Sequence, residues 1–80
     1  MPSDREFTSE FLAKKVGETI RDLRKREGIS QEELAERANI AKNYVGNLER
    51  GEHEPSTYVL CRVAVALGIA GSELLKEAGF

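Results

Sequence analysis

The sequence predicts an all-α chain, a compact bundle of five short helices, and three observations carry that expectation. Apolar residues recur every three or four positions rather than alternating, as in Leu12, Val16, Ile20 and Leu23, which is the period of a helix with one buried face. Ser30 and Ser56 each stand just before such a stripe, where a hydroxyl accepts from a free amide of the first turn. Gly28, Gly51 and Gly68 each follow one, where helices commonly end on a left-handed residue.

Residues 1–10 read as a polar N-terminal arm and residues 11–80 as a single folded domain. Helix one is expected over residues 11–27. Ser30 and Glu33 have the spacing of a capping box, so helix two begins at Gln31 and buries Leu34, Ala35 and Ala38. Asn39 follows, a residue that tolerates the left-handed backbone of a tight turn. Ile40, Tyr44, Val45 and Leu48 then form the stripe of a third helix of about ten residues that closes at Gly51. Ser56 caps a fourth helix carrying Leu60, Val63, Ala64 and Leu67, and Ser72 opens a last short one with Leu74 and Leu75. Tyr58, Val59 and Val65 cost helix propensity, which packing is expected to override.

Composition narrows the function classes. Eighty residues, 40% hydrophobic and 32% charged, suit one folded domain with a small surplus of stability. No apolar run approaches the roughly 20 residues of a membrane span, and residues 1–10 lack the basic-then-apolar order of a secretory signal. The lone Cys61 has no partner for an internal disulfide and sits in an apolar helical pattern that predicts burial; a reducing, cytoplasmic compartment is expected. His53 stands alone in a loop, and no metal cluster, cofactor-binding glycine loop or Ser, His and Asp set is evident, so neither a cofactor nor an enzyme is expected. The net charge of -2 opposes binding to nucleic acid, while Arg21, Arg24, Lys25 and Arg26 supply local positive potential.

Two short helices joined by a turn of about three or four residues, braced by an amphipathic first helix, have the proportions of a helix-turn-helix. Ser30, Gln31, Glu32, Glu33, Leu34 and Ala35 open helix two; Leu48, Glu49, Arg50 and Gly51 close helix three; Pro55 and Ser56 follow. In these residues the chain resembles the lambda-repressor-like family of helix-turn-helix domains, of the phage repressor and xenobiotic-response-element type, over residues 16–75. Tyr44, Gly46, Glu49, Arg50 and Gly51 are similar to the pattern of controller proteins of restriction-modification systems. The resemblance implies a regulator of transcription that binds double-stranded DNA with helix three in the major groove.

The residues are consistent with that implication. Helical spacing places Tyr44, Val45 and Leu48 mostly inward and Lys42, Asn43, Gly46, Asn47 and Arg50 outward. Lys42, Asn43 and Asn47 are the expected base readers. An Asn amide pairs with adenine, and a Lys meets guanine acceptors or a phosphate. Gly46 on the outer side would let the helix approach the groove floor. Three residues are candidates for the DNA backbone: Gln31, at a position the family uses for phosphate; Tyr44, through its hydroxyl; and Arg50, unless it forms an ion pair with Glu49. Glu52 and Glu54 stand where relatives often carry basic residues, which lowers the expected non-specific affinity, and Ala41 lacks a capping hydroxyl.

One helix-turn-helix reads only a few base pairs, so a homodimer on a two-fold symmetric site is expected. Tyr58, Cys61 and Val65 lie beside the core stripe of helix four and, with Leu74 and Phe80, form the candidate dimer patch; the other reading is a wider core stripe. A second function class stays open, a protein-interaction module of the same fold, of antitoxin or co-activator type, which the negative charge favours.

Overall fold

The computed structural model describes residues 2–80. Five helices follow in order, α1 (Ser9–Arg26), α2 (Gln31–Ala38), α3 (Lys42–Glu49), α4 (Thr57–Ala66) and α5 (Gly71–Glu77), and the described residues contain no strand. No single helix among them is long and apolar enough to cross a membrane.

Capping chemistry sets the helix starts, with three departures from the expected positions. Thr8 caps α1, its hydroxyl accepting from the Phe11 amide at 3.1 Å, so the helix takes in Ser9 and Glu10, which pattern alone assigned to the arm. Ser30 accepts from the Glu33 amide at 3.0 Å as expected. The Glu33 carboxylate, however, accepts from Arg37 one turn on, at 2.7 Å, and leaves the second half of the capping box unmade. Ser72 lies inside α5 rather than at its cap, because Ala70 is the capping residue and its own amide donates to Glu73 at 3.5 Å.

The segment before α1 folds back onto the C-terminus. The Glu6 and Phe7 amides both donate to the Ser3 carbonyl at 3.0 Å. The Phe7 and Phe80 rings stand 5.7 Å apart, and Phe80 meets Phe11 edge-on at 6.3 Å. Phe80, assigned to the dimer patch, thus spends its ring within its own chain.

Val16 and Ile20 of α1, Leu34 of α2, Val45 and Leu48 of α3, and Val63 of α4 form one core. α3 packs against α1 and α2; α4 packs against α2 and α5; α5 closes back on α1. At Gly17 the backbones of α1 and α3 meet directly, since a Cβ there would stand 2.1 Å from the Leu48 carbonyl oxygen. Arg62 ties α4 to the end of α2. Its Nε donates to the Ala38 carbonyl at 2.7 Å, one of the carbonyls a helix end leaves free.

Two expectations for helix four and the last helix are overturned by this packing. Leu74 is completely buried, so it belongs to the core and not to an interface. Cys61 is exposed, because the buried stripe of α4 runs through Leu60, Val63, Ala64 and Leu67 and leaves Cys61 one position off it. Tyr58 and Val65 stand with it on the outside, 66% and 72% exposed, and the five residues Arg37, Tyr58, Cys61, Arg62 and Val65 line a shallow hollow of about 290 Å³.

Candidate nucleic-acid interface

The turn between α2 and α3 depends on Asn39, which adopts φ 56° and ψ 49° as expected of a residue that tolerates the left-handed region. Ala41 then begins α3 without a side-chain cap bond. Inside, Val45 and Leu48 are buried; outside, Lys42 and Asn43 are exposed and Asn47 is half-buried. The Lys42 ammonium stands 3.7 Å from the Glu32 carboxylate, with both side chains mostly in solvent, where such a pair is weak. Tyr44 is half-buried, packed on the core and near His53, with ring centroids 6.0 Å apart.

Beneath this face lies a charged network that joins α1, α2 and α3. Arg24 of α1 donates to both carboxylate oxygens of Glu49, Nε at 2.6 Å and Nη2 at 3.0 Å, and through Nη1 to the Ile29 carbonyl at 3.0 Å. Gln31 Nε2 donates to the same carboxylate at 3.0 Å. The side chains of Arg24 and Glu49 are only 12% and 3% exposed. The bidentate bond to Glu49 holds the Arg24 pKa above its ordinary value. Arg24 is therefore withdrawn from the basic cluster it was expected to join, and Glu49 is taken, which removes it as the partner of Arg50. A clue was present in the spacing: Val45, Leu48 and Glu49 share one helical face, and so do Val16, Ile20 and Arg24, which places opposite charges on two apolar stripes.

Gln31 stands at the start of α2 with one amide hydrogen committed to Glu49 and the other available. The network thus orients the side chain expected at the DNA backbone.

At the other end of α3 is a second, exposed cluster. Arg50 donates to Glu52 from Nε at 2.7 Å and from Nη2 at 3.3 Å, and to the Asn47 carboxamide oxygen from Nη2 at 2.6 Å. The hydrogen bond between them raises the pKa of Arg50 and lowers that of Glu52. Gly46 is buried rather than on the open side of α3. The Arg50 guanidinium covers it, and a Cβ at that position would stand 3.1 Å from Nη1. Glu52, expected to repel a phosphate backbone, instead has its charge engaged by Arg50.

A helical core that holds α3 with its polar side outward invites comparison with known proteins. The helix-turn-helix family pattern matches residues 20–74. The chain belongs to this helix-turn-helix family. The immunity repressor protein of Bacillus phage phi105 is 40% identical over 62 residues, which cover 78% of this chain and 43% of that protein. The chain therefore spans less than half the length of that relative. Among solved structures, the restriction-modification controller protein C.AhdI of Aeromonas hydrophila superposes with a TM-score of 0.75 at 39% identity, over 78% of this chain and 94% of that one. The controller protein C.Esp1396I, solved as a tetramer with its 35 base-pair operator, superposes with a TM-score of 0.75 at 28% identity, over 85% and 95%. The helix-turn-helix expected from the residues, and the likeness to controller proteins, are both borne out.

Proposed function

We propose that this helix-turn-helix chain is a sequence-specific DNA-binding regulator of transcription, not a catalyst, which acts in the cytoplasm as a homodimer with α3 of each protomer in the major groove. The observation that carries the reading is the division of α3: Val45 and Leu48 hold it against the core, while Lys42, Asn43 and Asn47 remain outside with hydrogen-bonding groups for base edges. Gln31 and Tyr44 flank that surface as contacts to the DNA backbone. The operator complex of C.Esp1396I supports the same use of the fold.

Dimerisation is assigned to the outer face of α4, where Tyr58, Cys61 and Val65 are exposed and line one hollow together with Arg37 and Arg62. Two copies related by a two-fold axis would set their α3 helices about 34 Å apart, one turn of DNA.

Fluorescence titration with operator-length duplexes selected from a random pool tests the assignment. Lys42→Ala and Asn43→Ala are expected to relax preference at single base positions, by about 1 to 3 kcal/mol each, whereas Gln31→Ala weakens all sequences alike. Binding without preference for any sequence at low salt would sink the proposal. A binding constant that ignores salt would point instead to a protein partner, the reading that the net charge of -2 favours. For the interface, Val65→Glu is expected to give monomers in analytical ultracentrifugation, and an unchanged dimer removes α4 from the assembly.

A further inference from the structure

We propose that Asn47 and Arg50 act as one guanine-reading unit, with Glu52 as its positioning residue; the inference rests on the DNA-binding reading above and names the base that part of the surface recognises.

The hydrogen-bond inventory of the cluster leads to that base. A guanidinium only donates, so the Asn47 atom 2.6 Å from Arg50 Nη2 is necessarily the carboxamide oxygen. An asparagine that reads adenine uses both ends of its amide, the oxygen for N6 and the nitrogen for N7. With its oxygen engaged by Arg50, Asn47 has its two amide hydrogens left to donate. In Arg50, the Nε hydrogen and one on Nη2 go to the two oxygens of Glu52, the other Nη2 hydrogen goes to Asn47, and both Nη1 hydrogens are left. The unit therefore offers donors from two neighbouring side chains. Guanine presents two adjacent acceptors in the major groove, O6 and N7, whereas adenine sets an amino donor beside N7. A donor pair matches the first and collides with the second.

The surroundings hold the unit in place. Gly46 leaves room for the guanidinium to lie against α3, and Glu52 fixes it from the far side. Arg50, expected at a phosphate, is thereby assigned to a base edge.

The test is selection of bound duplexes from a random double-stranded pool by the full chain and by Asn47→Ala, Arg50→Ala and Glu52→Gln, with helix content followed by circular dichroism. The wild type is expected to enrich guanine at one base pair per half-site. Asn47→Ala and Arg50→Ala each lose that preference at the same base pair, by about tenfold, and the double variant loses no more than either alone, as members of one unit do. Glu52→Gln weakens the guanine preference while raising affinity for unselected DNA, since a negative charge is removed. Adenine at the position that depends on Asn47 overturns the unit, and so does an Arg50→Ala variant that weakens every sequence equally with guanine preference intact. A wild-type chain that binds duplex and enriches some other base overturns the unit alone; one that enriches nothing overturns the DNA-binding reading as well.

Discussion

Glu49 and Arg50 are neighbours in sequence, and each forms a bidentate ion pair, yet the two pairs belong to different parts of the protein. Glu49 faces inward, and its pair with Arg24 is nearly closed to solvent and shared with Gln31. Arg50 faces outward, and its pair with Glu52 is more than half exposed on both sides. Burial makes the first pair costly to break, because removing one partner strands a charge without water. The second is cheap to break, since solvent screens it and replaces its hydrogen bonds. Two adjacent residues thus carry a bond that holds α1 against α3 and one that lies open on the surface.

On the buried side the expected effects are large. Gly17→Ala would drive a methyl group into the Leu48 carbonyl, with backbone on both sides and nothing flexible to yield. A loss of roughly 3 kcal/mol or more is expected in urea unfolding, and a near-neutral result would mean that α1 and α3 can separate freely. Glu49→Ala strands Arg24, which keeps only its bond to the Ile29 carbonyl, and is expected to cost about 3 kcal/mol. A cost as small as that of a surface pair would mean that the buried bond does not hold α1 against α3.

On the exposed side the expected effects are small. Arg50→Ala is expected to leave stability nearly unchanged while changing DNA selection. A large loss of stability would place Arg50 with Glu49 among structural residues. The smallest effect concerns acid. A carboxyl whose folded pKa lies below its unfolded value contributes stability that is present above the unfolded pKa and is lost as pH falls through the folded one. Glu52 has its pKa lowered by Arg50, so its contribution disappears only below the usual carboxylate range. Its side-chain NMR titration is expected to have a midpoint below that range in the wild type, and to return toward it in Arg50→Ala.

Local chemistry made most of the fold legible. Ser30, Ser56 and Asn39 have structural roles that follow from what a hydroxyl or a left-handed backbone does at a helix end. The apolar stripes identified Val16, Ile20, Leu34, Leu48 and Leu60 as core. Legibility was poorer where one stripe could serve two surfaces. Tyr58, Cys61, Val65 and Leu74 are all apolar on helices, and only the placement of α5 against α4 and α1 decides that Leu74 is inside while the other three are outside.

By itself the sequence determined five helices, the caps at Ser30 and Ser56, the sharp turn at Asn39 and membership of the helix-turn-helix family, because these depend on neighbours within a few positions along the chain. Tertiary structure alone decided which charges meet. Arg24 finds Glu49 across 25 positions, Gly17 lets their helices touch, and Gly46 gives Arg50 a place to lie. Such pairings depend on distances in space, which periodicity along one helix does not contain.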